Sequence, residues 1–410
     1  MKKVIASLTT LSVVGIAPLA HSSETNSEIN MAWFSKPNLE ISGKITGMAA
    51  GTSVRHQPPK TDKVSFASKG DLRFNIKAMT QGGTEYGGVV ALDVRRDKAG
   101  GADLYKSVYA FFSSPEYGTW QIGDLDSALE QVMVDGSDVM GGAGGFGGDM
   151  FYFATPTAGV FMPYMTAAYN RYATKIVYKS PVVHGVQLAA SYTPHSALWA
   201  TMKRMHGEEF AKNVGIDANA SWPSLGRIFE AALSYGFSLG DVGVNLYAGG
   251  AIGNPNVSDH AVFANKGLHP VKVWQLGMLL DWQQFQFAAG VLNQQRSMMR
   301  KDELGNAGTA YNAALSYTTG RHTIAVGYLG STRRVLDGRA KGNVGSLTYE
   351  CKLAPGWTVF GEANYFSTTN TVAYLAQDGV TKKDQGYLYQ SGLKKNNSGG
   401  VFLLGTTIRF

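Results

Sequence analysis

The stretch Asp71-Leu72-Arg73-Phe74-Asn75-Ile76-Lys77-Ala78 alternates polar and apolar residues without a break. In an extended strand, Leu72, Phe74, Ile76 and Ala78 share one face, and Asp71, Arg73, Asn75 and Lys77 share the other. Units of this kind, roughly ten alternating residues followed by a turn, recur from Leu39 to the last residue. In a soluble sandwich the apolar face would meet a second sheet. In a closed barrel it meets lipid. Composition favours the lipid. Only 16% of the 410 residues are charged, against about one quarter in soluble chains, yet the mean hydropathy of −0.11 is ordinary. Strands that put apolar residues toward lipid and polar residues toward a lumen satisfy both facts.

Sixteen such segments are read, predicting an all-β, transmembrane antiparallel β-barrel. They run Leu39–Val54, Ser65–Thr80, Thr84–Arg96, Leu104–Ser113, Gly118–Asp126, Arg171–Ser180, Gly185–Thr193 and Arg227–Leu239. The rest are Asp241–Ile252, Val271–Trp282, Phe285–Arg296, Thr309–Thr319, His322–Ser331, Gly342–Leu353, Trp357–Ser367 and Gly400–Phe410. Short turns such as Gln81-Gly82-Gly83, Gly240, Gln283-Gln284 and Gly320-Arg321 alternate with longer connections. The longer set includes Ser127–Asn170, Pro194–Gly226, Thr332–Lys341 and Thr368–Gly399. Membrane barrels show this order, with short periplasmic turns and long external loops. Leu198, Met202, Met205 and Phe210 give Leu198–Val214 the pattern of a short amphipathic helix in one loop.

Lys2 and Lys3 precede an apolar run from Val4 to Ala20, which predicts a secretory signal peptide over residues 1–22. Residues 23–38 are expected as a periplasmic lead-in and 39–410 as the barrel. Cys351 is the single cysteine, so no internal disulfide forms. The formal charge of +7 suggests a mild bias toward anions in a pore. Basic residues are scattered rather than clustered beside aromatics, which argues against nucleic-acid binding.

The chain ends Phe402-Leu403-Leu404-Gly405-Thr406-Thr407-Ile408-Arg409-Phe410, with Phe402, Leu404, Ile408 and Phe410 on one face. This resembles the C-terminal strand of Gram-negative outer-membrane proteins. There the terminal aromatic is part of the signal read by the barrel-assembly machinery. Leu39-Glu40-Ile41-Ser42-Gly43-Lys44 looks like a porin first strand, and Gly118-Thr119-Trp120-Gln121-Ile122-Gly123-Asp124 like the strand leading into the porin constriction loop. From Leu39 to Phe410 the chain resembles the general diffusion porins in architecture. The resemblance implies a homotrimer in the outer membrane, in contact with outer-membrane lipid and lipopolysaccharide. It also implies a third loop folded inward to narrow the bore.

Ser127–Asn170 fits that role on its own chemistry. It carries Glu130, Asp135, Asp138 and Asp149, with Asp124 and Asp126 at its root, and no Lys, Arg or His from Asp126 to Asn170. Gly141-Gly142-Ala143-Gly144-Gly145-Phe146-Gly147-Gly148 permits tight turning in a confined space. The usual Pro-Glu-Phe-Gly-Gly motif is lacking; Phe146-Gly147-Gly148-Asp149 comes nearest. Lys44, Arg73, Lys77, Arg95, Arg171 and Lys175 fall on polar strand faces and are expected to form a basic wall opposite. Acids facing bases across water set up a transverse field, which orients dipolar solutes and penalises apolar ones.

Other chemistries lack their residues. The Gly-rich run has no Gly-Lys-Ser/Thr ending for a phosphate loop, and Asp93, Asp97 and Asp103 match no EF-hand. No His pair has metal-ligand spacing on a helix, and no Gly-x-Ser-x-Gly elbow appears. The expectation is therefore a passive channel for small hydrophilic solutes and ions, without enzyme activity, metal or cofactor. The alternatives are a substrate-selective channel for sugars or anions, and a barrel acting as a surface adhesin or structural anchor.

Overall fold

The computed structural model describes residues 36–55, 62–95, 105–154, 173–196, 225–255, 267–297, 299, 301, 306–335, 338–369 and 396–410. The expected signal peptide, nearly all of the lead-in, the Leu198–Val214 helix and Arg171 lie outside these residues.

Sixteen strands form: β1 (Asn38–Val54), β2 (Val64–Met79), β3 (Glu85–Arg95), β4 (Tyr105–Ser114), β5 (Gly118–Asp124), β6 (Thr174–Lys179), β7 (Val186–His195) and β8 (Leu225–Leu239). They continue with β9 (Val242–Pro255), β10 (Val271–Trp282), β11 (Phe285–Asn293), β12 (Asn306–Thr319), β13 (His322–Val335), β14 (Gly338–Ala354), β15 (Trp357–Thr369) and β16 (Asn397–Arg409). Each strand pairs antiparallel with its neighbours in sequence, and β16 pairs with β1 to close the barrel. The closing seam is tight. Gly43 and Phe410 exchange both backbone hydrogen bonds, at 2.8 and 3.0 Å. A Cβ on Gly43 would stand 2.4 Å from Phe410 Cζ, so the absent side chain makes room for the terminal ring.

The strand alternation sorts residues as expected. Phe66, Ile76, Phe402 and Leu404 are more than half exposed on one face. Thr46, Met48 and Ala50 on the other face of β1 are buried. A ring of exposed apolar side chains around a closed wall is the outward, lipid-facing surface. Aromatics flank it at both rims. Trp120 meets Tyr178, Trp282 meets Phe285, and Phe285 meets Tyr317 near the short turns; Tyr311 meets Tyr328 toward the loops. Phe402 and Phe410 are eight residues apart, which at ~3.4 Å per residue is about 27 Å along a tilted strand. Tilt of about 35–45° shortens this to roughly 20 Å of height, within a hydrocarbon band roughly 25 Å tall.

Two expectations need correction. Thr332–Lys341 is not a long loop. β13 and β14 run on through Arg333, Arg334, Arg339 and Lys341, and Val335 pairs with Gly338. Likewise the expected strand end Gln294–Arg296 is a turn, closed by Ser297 N–H on the Gln294 carbonyl at 2.9 Å. The inward face also differs from a uniformly polar lumen. On β9–β14 it mixes apolar and polar residues, with Ala251, Ala288, Ala310, Ala314 and Ala325 buried alongside Gln275, Asn312, Ser316 and Ser346.

The outward assignment has a direct test. Phe74→Arg or Ile76→Arg is expected to destabilise the barrel by about 2–4 kcal/mol, whereas Asn75→Arg, between them on the inward face, has a much smaller effect. Urea unfolding in detergent micelles reads this. Equal losses at all three positions would contradict the assignment.

Candidate channel lining

Between β5 and β6 the described segment 125–154 contains helix α1 (Ala128–Val132) and short 3-10 turns at Gly136–Val139, Gly145–Gly147 and Asp149–Tyr152. Ser127 caps α1, its Oγ accepting from Glu130 N–H. Leu125, Leu129, Val134, Val139, Phe146 and Met150 are buried in one cluster with inward-facing residues of the wall, among them Tyr247, Leu292, Leu329 and Phe366. The small wall residues now have a reason. A Cβ on Gly277 would stand 1.8 Å from Val134 O, and one on Gly327 2.5 Å from the Phe146 ring.

Polar contacts fasten the segment at successive strands. At its root, Lys175 is 1% exposed and donates to the carbonyls of Leu125 and Ala173. Ala128 N–H donates to Ser191 Oγ (3.1 Å), which donates to the buried Glu230 (2.9 Å). Gly136 N–H then meets Asn312 Oδ1 at 2.9 Å.

The Gly-rich run makes the densest contact. Gly142, Gly144 and Gly145 adopt left-handed φ values of 68°, 103° and 56°, which L side chains rarely adopt. The turn this produces directs successive N–H groups at two wall carboxylates. Gly142 N–H donates to Glu350 Oε1 at 2.8 Å, and both Ala143 and Gly145 donate to Glu362 Oε1. Consecutive amides in such a turn form a concave anion site. Here the anions belong to β14 and β15. Further on, Asp149 forms an ion pair with Lys69 of β2, at 2.6 Å.

The expected acids therefore occupy different environments. Asp124 hydrogen-bonds Thr174 at the end of β5. Asp126 and Glu130 lie close enough to Lys175 to act on it electrostatically, as do Glu230 and Asp124. Asp135 is buried; its Oδ1 accepts from Ser137 N–H and Oγ. Asp149 is taken by Lys69. Asp138 is the exposed member. The surrounding wall nonetheless removes enough water to lift its carboxyl to about 6, with Asp135 adding to the lift and the Asp135 N–H opposing it.

The expected bases also divide. Arg73 donates to Tyr109 Oη at 2.7 Å, Lys77 pairs with Glu40 at 2.8 Å, and Lys44 lies within electrostatic reach of Asp149 and Asp71. Arg95 stands opposite Lys69 in the β2–β3 register. Lys175 points inward but sits beneath the root of the segment, among acids, rather than on an opposite wall. The alternation that marked Arg73 and Lys77 also covers Lys69, which the reading passed over. Glu350 and Glu362 carried the same signal, as lone acids on the inward parity of predicted strands.

The described part of the segment contacts β6–β16, meets β5 where Gln131 donates to Gln121 at 2.8 Å, and reaches β2 through the Asp149–Lys69 pair. A cavity of about 320 Å³ lies against β2–β5, lined by Arg73, Asn75, Lys77, Tyr109, Phe111 and Gln121 among others.

A model of the Gram-negative porin family matches residues 8–371. No curated protein matches the chain. Among solved structures it is similar to the anion-selective porin from Comamonas acidovorans, at 14% identity and a TM-score of 0.56 over 92% of this chain and 100% of that one. It is also similar to a loop-deletion mutant of OmpT, an outer membrane protein of Vibrio cholerae (12%, TM-score 0.55, 91% and 99%). A mutant Rh. blastica porin matches at 14% and 0.51, over 91% and 100%. These likenesses support the fold, and the family match over most of its length makes the chain a member of the Gram-negative porin family.

Proposed function

We propose that the barrel is a passive diffusion channel of the outer membrane whose bore is narrowed by the expected loop Ser127–Asn170, of which 127–154 are described and 155–170 lie outside the described residues. The observation that carries this is the clasp of Glu350 and Glu362 by the amides of Gly142, Ala143 and Gly145. Hydrogen bonds to charged groups are worth about 1.5–3 kcal/mol each, so this contact opposes release of the segment into water. Solute would then pass through the cavity along the inward face of β2–β5, past Arg73 and Lys77. The channel does no covalent chemistry; it replaces an apolar barrier with an aqueous path. The Phe402, Leu404, Ile408 and Phe410 face serves as the assembly signal, and the barrel functions as a homotrimer.

A second reading, a channel that prefers anions, is favoured by Arg73. Its partner Tyr109 is neutral, so its charge is available to solutes. The anion-selective porin named above is consistent with this preference.

Two measurements in planar bilayers test these readings. Deleting Val139–Asp149 is expected to raise single-channel conductance and the size of solute admitted; unchanged values would contradict the constriction. For selectivity, Arg73→Gln is expected to move the reversal potential toward cations. Raising pH through about 6 ionises Asp138 and moves wild type the same way, and Asp138→Asn removes that pH step. A reversal potential indifferent to both substitutions would remove Arg73 and Asp138 from the selecting groups.

A further inference from the structure

The cavity against β2–β5 is built from three columns. On β2, Arg73, Asn75 and Lys77 face inward, and on β4, Tyr109 and Phe111 do. Between them runs β3, whose register sets Val89 opposite Asn75 and Tyr109, and Gly87 opposite Lys77 and Phe111. Lys77 and Phe111 therefore stand two strand spacings apart, about 10 Å, with a bare glycine on the floor between them. That floor stays bare, because a Cβ on Gly87 would stand 2.0 Å from the Ile76 carbonyl oxygen. One level further toward the short turns come Glu85, Ser113 and Thr119, in one row across β3, β4 and β5.

The polar groups of this trough are not equally engaged. In the middle row, Lys77 is paired with Glu40 at 2.8 Å, and Gln121 Oε1 accepts from Gln131 of the segment at 2.8 Å. At the loop-side end, Arg73 gives an N–H to the neutral Tyr109 Oη at 2.7 Å. A guanidinium has further N–H groups to give, and Arg73 lines the cavity together with the Asn75 amide. At the turn-side end, the Ser113 and Thr119 hydroxyls bond each other at 2.8 Å. Glu85 lies within electrostatic reach of Lys77 but accepts no hydrogen bond among the described residues. The trough thus has an anion-seeking end, an apolar middle on Phe111 and an acceptor end. Tyr109 and Ser113 mark the two ends, four residues apart on β4, about 14 Å along the strand. A hydrogen bond of about 3 Å at each end leaves about 8 Å for a solute.

We propose that this trough is a solute subsite for a hydroxylated aromatic monocarboxylate, the hydroxybenzoate class. The carboxylate meets Arg73, whose planar fork matches two carboxylate oxygens, with Asn75 beside it. The ring lies over Gly87 against Phe111 and Tyr109, in the offset or edge-to-face contact that aromatic groups favour. The hydroxyl at the far end donates to Glu85. A para-substituted ring has polar groups at two ends and apolar sides, as the trough does. A sugar carries hydroxyls on every side, and those beside Phe111 would go without partners. The cavity's volume of about 320 Å³ is at the lower end of ligand pockets, about 300–1,000 Å³, and suits a single ring. The proposal rests on the reading that solutes pass along β2–β5. It goes beyond a preference for anions, which Arg73 alone would give.

The test titrates the purified full-length barrel in detergent micelles with para-hydroxybenzoate, benzoate, para-hydroxybenzyl alcohol and acetate. Binding is read by saturation-transfer NMR against empty micelles. Wild type is expected to bind para-hydroxybenzoate in the millimolar range, weak enough for release in transit. Benzoate, which lacks the hydroxyl, should bind about fivefold more weakly, and the alcohol, which lacks the carboxylate, about tenfold. Arg73→Gln should weaken para-hydroxybenzoate about tenfold, with Arg73→Lys losing less, and Phe111→Ala should weaken it about fivefold. Glu85→Ala should erase the preference for para-hydroxybenzoate over benzoate. Phe112→Ala, on the outward face beside Phe111, should bind as wild type does. Conductance in potassium chloride, read in parallel, tests the channel reading alone. A barrel that binds but does not conduct supports the subsite and overturns the channel reading; a barrel that fails to bind overturns this proposal whether or not it conducts. Two further results would overturn it: para-hydroxybenzoate bound no better than acetate, or Arg73→Gln and Phe111→Ala barrels that bind it as wild type does.

Discussion

A bilayer interior offers no water to a peptide group, so every N–H and C=O placed there must find a partner in the protein, and each failure costs several kcal/mol. A sheet meets that demand only when it has no edge. The pairing of β1 with β16 is therefore the interaction on which the other fifteen strand pairings depend. Gly43 and Phe410 stand at its end, where the bare glycine accepts the terminal ring and both backbones exchange hydrogen bonds. Closure also imposes the alternation. With one face fixed toward lipid, a register slip of one residue would turn Phe74 and Ile76 inward and Arg73 and Lys77 into hydrocarbon.

Closure leaves the inward surface free to vary, and it divides in two. On β2–β5 it is polar and charged, with Arg73, Lys77 and Gln121 lining a cavity. On β9–β14 it mixes small residues such as Ala288 and Ala314 with Leu292, Leu329, Asn312 and Ser346, and carries the segment after β5. Apolar packing of Phe146 and Met150 supplies area there, but area alone does not fix position. Directional contacts do: Glu350 and Glu362 each accept amide hydrogens from a turn that only glycine adopts readily. A carboxylate at 5% exposure such as Glu362 is costly to bury unless satisfied. The clasp satisfies it and holds the turn at the same time.

The strands were legible because their signals are local. Period-two alternation and turn residues lie within about ten positions of each other, and all sixteen segments fall where they were read. Thr332–Lys341 was misread for a physical reason. Beyond the hydrocarbon band an outward residue need not be apolar, so the Arg- and Lys-bearing ends of β13 and β14 look like loop. The lining was less legible, because its contacts join residues far apart. Glu350 and Gly142 are 208 positions apart, and nothing near either names the other. Lys175 shows the same limit: its parity was right, but the cover that buries it among acids is tertiary.

Charge also serves more than one surface. Lys69 is neutralised by Asp149 and Lys77 by Glu40, while Arg73 lines the cavity along β2–β5 and the rim cations Arg334, Arg339 and Lys341 of β13–β14 face outward. The formal charge of +7 is thus a poor guide to the field in the bore. What sets that field, on the reading proposed, is the line along which the segment is held, and the two glutamates decide it. Single-channel recording of the double variant Glu350→Gln, Glu362→Gln tests this most directly. Glutamine keeps the size but loses the charge that draws the amides. The account expects a folded barrel with larger, noisier conductance that fluctuates as the segment detaches and returns. A conductance as steady and as small as wild type would contradict it.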